Sequence, residues 1–251
     1  MKKLLTTVFA VLCLNGSLAH AGVDLTALGG MNFQGGANTL NSGFTQSASG
    51  SAAQFSYGIT GDMDLGMNWG VELGFLYLNS AINATYGTTT TTTKPVVGAV
   101  STATTINVAF NYSWLNVPIL ATYKFLPFLQ AGLGMYLAEG IGNITGTSGT
   151  SSASTIVASG TAVGTPVTSS STVNQGWEGS GLTRFDYGLA AKLRGQYEFI
   201  PSWAAVLDVY FNYGLANGVI TAGSANGTAN TFNSNLTNWS LSSFVGVKYS
   251  F

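Results

Sequence analysis

Residues 184–199 read RFDYGLAAKLRGQYEF, and large apolar side chains alternate in them with charged or polar ones. The apolar set comprises Phe185, Tyr187, Leu189, Leu193, Tyr197 and Phe199. The polar set comprises Arg184, Asp186, Lys192, Arg194, Gln196 and Glu198. Because successive side chains of a β-strand point to opposite faces, this period of two predicts a strand with one apolar and one charged face.

Seven other stretches alternate in the same way, so the sequence predicts eight strands. They are residues 23–33, 55–65, 69–79, 111–125, 126–138, 203–213 and 239–251. Beyond residue 21 the chain has fifteen charged residues, and twelve fall on the polar faces: Asp24, Asp62, Asp64, Glu72, Lys124, Arg184, Asp186, Lys192, Arg194, Glu198, Asp208 and Lys248. Lys94, Glu139 and Glu178 fall in the predicted connections. The concentration of charged residues on one face of each predicted strand supports the assignment of an apolar and a polar face.

The connections alternate between short and long. Short ones are predicted at residues 66–68, 125–127 and 200–202, and long ones at 34–54, 80–110, 139–183 and 214–238. If consecutive strands are antiparallel neighbours, all short turns lie on one side and all four long loops on the other. The long connections are of low complexity, as in TTTTTTK at residues 88–94, so we expect them to be mobile or only locally ordered.

Residues 1–21 have the pattern of a secretory signal peptide. Lys2 and Lys3 precede an apolar run from Leu4 to Leu14, and Ala19-His20-Ala21 matches a cleavage site. The run is shorter than the ~20 residues that a membrane-spanning helix needs. We therefore predict an exported chain, with residues 22–251 forming a single barrel domain.

Removal of this leader removes the one histidine and the one cysteine, because His20 and Cys13 both lie in it. Disulfides, thiolate or imidazole metal sites, and Ser-His or Cys-His nucleophiles are then excluded. Carboxylate-only chemistry through Asp62, Asp64 and Glu72 stays open, although their predicted inward position near the short turns gives a substrate poor access. We expect no enzymatic activity, no cofactor and no metal.

A soluble, lipocalin-like barrel would show the same alternation with its faces reversed, so periodicity alone does not decide the orientation. Only 7% of the residues are charged, against roughly 25% in an ordinary soluble domain, and the polar faces are too sparsely charged for a solvated surface. Trp69 and Trp203 directly follow short turns, whereas Trp239 lies toward the long-loop end, as expected for two aromatic girdles. The sequence therefore predicts an all-β, eight-stranded antiparallel up-and-down transmembrane barrel with periplasmic turns and extracellular loops.

Two further stretches carry a family resemblance. WLNVPILATYKF at residues 114–125 resembles a strand of the outer-membrane β-barrel domain family, and the ending VGVKYSF resembles the terminal strand of such proteins. The chain thus resembles the eight-stranded group that contains the OmpA membrane domain, OmpX and the opacity-type proteins. The resemblance implies a bacterial outer-membrane location and, in Val247, Tyr249 and Phe251, the signal read by the barrel assembly machinery; Phe251 also fits a purely lipid-facing role. It further implies contact with lipid and lipopolysaccharide, and with periplasmic chaperones during biogenesis.

The interior of an eight-stranded barrel is just wide enough for side chains to fill it. We predict that a lumen network of buried charges closes it, formed by Asp62, Glu72, Lys192, Arg194, Asp208 and Lys248. Arg184 and Asp186 are predicted at the outer mouth, where they pair with each other or bind a ligand; pairing is favoured.

The nearly uncharged loops do not resemble a nucleic-acid surface. We expect a monomer with a structural or surface-interaction role; the alternative is a narrow, porin-like channel for small or apolar solutes.

Overall fold

The computed structural model describes residues 22–39, 45–94, 98–157, 162, 165–177, 184–216, 218–219 and 235–251. They form eleven strands: β1 (Val23–Thr39), β2 (Thr45–Ala52), β3 (Gln54–Gly66), β4 (Trp69–Lys94), β5 (Gly98–Leu126), β6 (Leu129–Ile156), β7 (Val167–Gly176), β8 (Phe185–Ile200), β9 (Trp203–Gly214), β10 (Gly218–Val219) and β11 (Asn235–Ser250). The predicted leader, residues 1–21, lies outside the described residues. No described helix is long and apolar enough to cross a membrane.

Eight of these strands close into an antiparallel barrel. Their order is β1-β3-β4-β5-β6-β8-β9-β11, and β11 returns to pair with β1 from Asp24↔Ser250 to Thr39↔Asn235. Strands β2, β7 and β10 lie off this ring and pair with β4, β6 and β11. The predicted eight-stranded up-and-down barrel is confirmed, and closure leaves no free edge around the ring.

Exposure alternates along the barrel strands as the sequence pattern predicts. On β9 the side chains of Trp203, Leu207 and Phe211 are exposed, whereas Ala204, Val206, Asp208, Tyr210 and Asn212 are buried. The apolar face therefore points outward and the mixed face fills the interior. This arrangement suits a barrel in lipid, where the outer surface must be apolar and every backbone polar group must be paired.

Short turns join neighbouring strands at one end of the barrel. Residues 67–68, 127–128 and 201–202 connect the pairs β3–β4, β5–β6 and β8–β9. Met67 and Asn68 have φ angles of 54° and 68°, the left-handed conformation of tight hairpin turns. These turns lie where the sequence predicted them.

At the opposite end, strands occupy parts of all four stretches that were predicted to be long loops. Within residues 34–54, β1 continues to Thr39 and β2 covers Thr45–Ala52; β7 lies within 139–183, and β10 and the start of β11 lie within 214–238. β4, β5 and β6 extend farthest beyond the barrel. Residues 80–110 and the first part of 139–183 were expected to be mobile or locally ordered loops, yet pairing continues to Lys94↔Gly98 and to Val100↔Ile156. Lys94 and Glu139, expected in connections, therefore lie in strands, whereas Glu178 is outside the described residues. β-Branched threonine favours extended pairing, and cross-strand hydroxyl contacts such as Thr102–Ser154, at 2.8 Å, add to it.

Candidate functional site in the barrel lumen

A compact group of charged side chains crosses the barrel interior. This charge layer consists of Asp62 on β3, Glu72 on β4, Lys192 and Arg194 on β8, and Asp208 on β9. All five residues are buried. Inward-facing positions on the pleated strands bring them to one level, because Asp62 lies opposite Glu72 and Arg194 lies opposite Asp208 in the strand register.

Arg194 is the centre of the charge layer. Its Nε and Nη2 donate to the two carboxylate oxygens of Asp208 at 2.7 and 2.6 Å, a bidentate geometry. Its Nη1 donates to Asp62 at 2.6 Å, and Nη2 also donates to the Thr60 hydroxyl at 3.2 Å. One guanidinium therefore holds two carboxylates.

Lys192 supplies the second cation. Its Nζ donates to Glu72 and lies 3.9 Å from an Asp208 oxygen. The Tyr210 hydroxyl donates to the other Glu72 oxygen at 2.6 Å, and Gln130 donates to Asp62 at 3.3 Å. Sequence reasoning did not include Tyr210 or Gln130 in the network, although both occupy inward positions of predicted strands.

These contacts span the barrel rather than following its wall. In the ring of eight strands, β3 is four places from β8 and β4 is four places from β9. The Arg194–Asp62 and Tyr210–Glu72 hydrogen bonds thus join opposite walls. Charged and hydrogen-bonded groups occupy the lumen at this level.

Lys248 was predicted to belong to this network, but the structure pairs it elsewhere. Its Nζ donates to Asp24 at 2.8 Å and to Gln196 at 2.9 Å, nearer the short-turn end. The reason is the closing seam: β11 lies beside β1, where Thr26 faces Lys248 and Asp24 lies two residues further toward the short turns. Lys248 therefore forms a separate ion pair.

The predicted pairing of Arg184 with Asp186 is also corrected. The Arg184 guanidinium lies 3.0 Å from Glu139 on the neighbouring strand. Asp186 is buried and accepts a 2.7 Å hydrogen bond from the Tyr136 hydroxyl. Arg184 precedes β8 and remains exposed at the rim, where Glu139 lies opposite Phe185, whereas Asp186 lies deeper in the barrel.

An apolar layer lies beside the charge layer and was not predicted. Its inward side chains include Leu28, Leu76, Leu120 and Phe244, and the Phe244 ring meets the edge of Tyr210 at 5.9 Å between centroids. The signal was present in the sequence, since these residues occupy the alternate positions of predicted strands. Sequence reasoning counted the charges on those faces and overlooked the apolar residues between them.

Toward the extended end, the lumen contains a small cavity, here called the outer chamber. It has a volume of about 20 Å³, and its wall includes Asn32, Gln34, Leu78, Ser80, Trp114, Asn116, Tyr136, Ala138, Asp186 and Ser240. Tyr112, Trp114 and Trp177 form an aromatic cap at this end, with centroids 4.8–6.2 Å apart. This cap was also missed, because Trp177 falls in a stretch that was predicted to be a loop.

Aromatic side chains lie near both ends of the outer surface of the barrel. At the short-turn end Trp69 packs on Tyr123 and Trp203 on Tyr249, each at 4.9 Å between centroids. Tyr249 also meets Phe251 edge-on at 4.8 Å. Trp239 is exposed on β11 toward the other end. The two levels are those expected at the interfaces of a membrane barrel.

The closed ring, the apolar exterior and the girdles define an integral membrane β-barrel of the outer-membrane type. Residues 19–219 match the model of the outer membrane protein beta-barrel domain, and the chain belongs to this family. The protein is therefore an outer-membrane β-barrel protein of the bacterial outer membrane, as the sequence predicted.

Solved outer-membrane proteins resemble the chain at low sequence identity. OprG from Pseudomonas aeruginosa is 12% identical over 93% of this chain and 98% of its own, with a TM-score of 0.43. Neisserial surface protein A is 12% identical over 92% of this chain and 97% of its own, with a TM-score of 0.30. Ail of Yersinia pestis is 9% identical over 92% of this chain and 98% of its own, with a TM-score of 0.28. A search of curated proteins finds no match.

Proposed function

We propose that this protein is a closed outer-membrane barrel with a structural or surface-interaction role. The observation that carries the proposal is the charge layer, whose hydrogen bonds join β8 to β3 and β9 to β4 across the barrel. A solute passing this level has to separate buried ion pairs. Removing one partner of such a pair typically costs about 3–5 kcal/mol, so the lumen stays closed to ions and polar solutes.

The extended strands support a role at the cell surface. From Ala81, where pairing with β2 begins, to Lys94, β4 continues for about 45 Å of strand at roughly 3.3 Å per residue. Above the barrel it lies in a sheet with β2, β5, β6 and β7, whose residues are mainly Thr, Ser, Gly, Ala and Asn. Such a surface offers hydrogen-bonding groups and little charge to lipopolysaccharide or to molecules outside the cell.

The protein acts as a monomer, contacts lipid and lipopolysaccharide, and requires periplasmic chaperones and the barrel assembly machinery for insertion. It has no enzymatic activity, binds no nucleic acid and uses no cofactor. The half-buried Tyr249 and the exposed Phe251 at the end of β11 support recognition by the assembly machinery.

A narrow channel is the second candidate function. The outer chamber favours it, because this cavity shows that side chains do not fill the lumen completely between the charge layer and the aromatic cap. The two candidates differ in one observable, since a closed barrel carries no current and a channel conducts.

Single-channel recording in planar lipid bilayers tests the proposal. Protein purified from outer membranes should show no unitary openings, whereas reproducible openings would replace the closed barrel by the narrow channel. Glu72→Ala and Lys192→Ala, which break the charge layer, should leak. Lys124→Ala is the matched control, because Lys124 forms a half-exposed pair with Asp64 at the short-turn rim and should stay silent. If all three variants are silent, closure does not depend on the charge layer.

A further inference from the structure

The outer chamber has the size of one small occupant. Its volume is about 20 Å³, and about 10–15 Å³ is enough for one water molecule. Most of its wall consists of side chains that carry oxygen atoms. They are Asn32, Gln34, Ser80, Asn116, Tyr136, Asp186 and Ser240. The chamber therefore accommodates a single water molecule or a single small ion, and no larger molecule.

Asp186 brings a negative charge to the chamber wall. The residue is buried, and its carboxylate accepts hydrogen bonds from the Tyr136 hydroxyl at 2.7 Å and from the backbone N–H of Tyr187 at 2.8 Å. A carboxylate has about four lone-pair positions. A cation in the chamber can therefore bind the carboxylate beside these donors.

Asn116 contributes a buried acceptor whose hydrogen bond is not made. Its side chain is 2% exposed, and its Oδ1 has no hydrogen-bond partner among the described residues. Amide and carboxylate oxygens are the ligands that hard cations prefer. The indole Nε1 of Trp114, another wall residue, also lacks a partner within the described part of the chain. One water molecule can accept from Trp114 and donate to Asn116, so water is the competing occupant.

The charges of the lumen favour a cation over water. The charge layer contains three carboxylates and two cationic side chains, which is a net charge of −1. Lys248 is held by Asp24 nearer the short turns and does not change this balance. Asp186 adds a further negative charge on the chamber side. Because a cleft lined by charges of one sign concentrates ions of the other sign, the lumen attracts a cation.

The ligand set indicates which class of cation fits. Transition metals and calcium usually draw on several His, Cys, Asp or Glu side chains, and no three of these meet in a possible metal group within the described ranges. One carboxylate among neutral amides and hydroxyls suits a cation of lower charge. We propose that the outer chamber binds one monovalent metal cation, Na⁺ or K⁺, through the oxygens of Asp186 and Asn116, with the hydroxyls of Ser80 and Ser240 beside them.

Urea unfolding in lipid vesicles tests the site when the protein is refolded in different salts. A ligand that binds only the folded state stabilises it in proportion to the logarithm of its concentration above Kd. At constant ionic strength, the urea midpoint should therefore be higher in NaCl or KCl than in N-methylglucamine chloride, whose cation is too large for the chamber. It should also rise with the Na⁺ or K⁺ concentration. Equal midpoints in all three salts would overturn the proposal and leave water as the occupant.

Two substitutions in the chamber wall assign the effect to this site. Asp186→Asn removes the charge and Asn116→Leu removes the amide oxygen, so each should abolish the difference between the salts. Asp64→Asn is the matched control, because it removes a carboxylate of the half-exposed pair with Lys124 at the short-turn rim and should keep the difference. A difference that persists in both chamber variants would place the cation elsewhere and would also overturn the site.

Thallium(I) gives a direct measurement on the unchanged protein. This ion replaces K⁺ in many sites and quenches tryptophan fluorescence on close approach, and Trp114 lies in the chamber wall. With nitrate salts, part of the quenching should saturate and should be reversed by sodium or potassium nitrate. Quenching that rises linearly and shows no competition would contradict a bound cation. These readouts do not depend on conductance, so the cation site and the closed barrel fail separately.

Discussion

Arg194 has more hydrogen-bond partners in the lumen than a lysine could serve. Its planar guanidinium donates to Asp208 from two nitrogens and to Asp62 from the third, and Thr60 accepts from the second N–H of Nη2. A lysine ammonium has three donors on one atom and cannot form the same fork. Arginine at this position therefore links two neighbouring walls, through Asp208, to the opposite wall, through Asp62.

Replacing the other cation gives a prediction about stability. Lys192→Met leaves Glu72 buried without its main counter-charge, so the free energy of unfolding should fall by about 3–5 kcal/mol. Urea unfolding in lipid vesicles, followed by tryptophan fluorescence, measures this change. The matched variant Lys124→Met removes a half-exposed pair with Asp64 and should cost about 0–1 kcal/mol.

A double variant distinguishes two causes of the instability of Lys192→Met: the loss of the Lys192–Glu72 attraction and the presence of an unpaired, buried Glu72 carboxylate. Combining Lys192→Met with Glu72→Gln removes both charges, so the stability should recover by 1–3 kcal/mol relative to Lys192→Met alone, on the order of the penalty for an unpaired buried group. A double variant as unstable as the single one would contradict the explanation by an uncompensated carboxylate.

Sequence reasoning found the inward charges but not all of their partners. Residue spacing shows that Asp62, Glu72, Lys192, Arg194 and Asp208 face the interior, and the structure joins all five. Which inward charges form an ion pair depends on their depth in the barrel and on which strands are neighbours, and residue spacing does not give either. Lys248 pairs with Asp24 across the seam between β1 and β11. Arg184 pairs with Glu139, which was predicted to lie in a loop and was therefore not considered as a partner.

At the scale of elements, aromatic side chains at the end of β11 contact one another and the neighbouring strand at the short-turn end. Phe251 contacts Tyr249, which packs on Trp203, but the Phe251 side chain remains 77% exposed. Its removal therefore takes little packing from the folded barrel.

Phe251→Ala should separate assembly from stability. The free energy of unfolding of the refolded protein should change by less than about 1 kcal/mol, as for most exposed positions, while the amount inserted into the outer membrane in cells should fall severalfold. Phe199→Ala is the control, because Phe199 is an exposed aromatic residue near the same end of β8. Equal insertion of both variants would leave Phe251 with a lipid-facing role only.

The parts of β4, β5 and β6 that extend beyond the barrel show where hydrophobic periodicity no longer predicts strands. Hydrophobic alternation predicts the parts of β4, β5 and β6 that cross the membrane, because one face there meets lipid. Above the membrane both faces meet water, so the Thr, Ser and Gly residues carry no period of two although their backbones remain paired. Composition alone does not distinguish this sheet from a loop.

At the scale of the whole molecule, the orientation of the barrel faces can be measured directly. Tyr197 on β8 lies opposite Ala205, two residues from Trp203 at the short-turn interface. Leu193 is exposed on the same strand, four residues further from the short turns, so it lies inside the apolar band. Leu193→Arg should lower the free energy of unfolding in lipid vesicles by about 2–4 kcal/mol, whereas Tyr197→Arg at the interface should lower it by about 0–1 kcal/mol. Equal costs at both positions would contradict the predicted depth.

The overall architecture was predictable for a simple physical reason. Lipid outside and a narrow interior impose one rule on every barrel residue, and this rule repeats from Val23 to Ser250. The lumen follows no such repeat: Leu76, Phe244 and Trp177 fill it according to local volume, and a stretch such as TSSSTVNQGW gives no indication that its tryptophan enters the barrel.

The seam between β1 and β11 has a kinetic consequence. Asp24 and Lys248 are 224 residues apart, yet their ion pair and sixteen register pairs complete the ring. Contacts between residues so distant in sequence form slowly, because the chain must lose the entropy of a very large loop before they stabilise it. The hairpins can form as soon as each is available, but closure waits for the last strand. Folding of this barrel should therefore end with one late, cooperative step, and any nascent chain that lacks β11 retains two open edges.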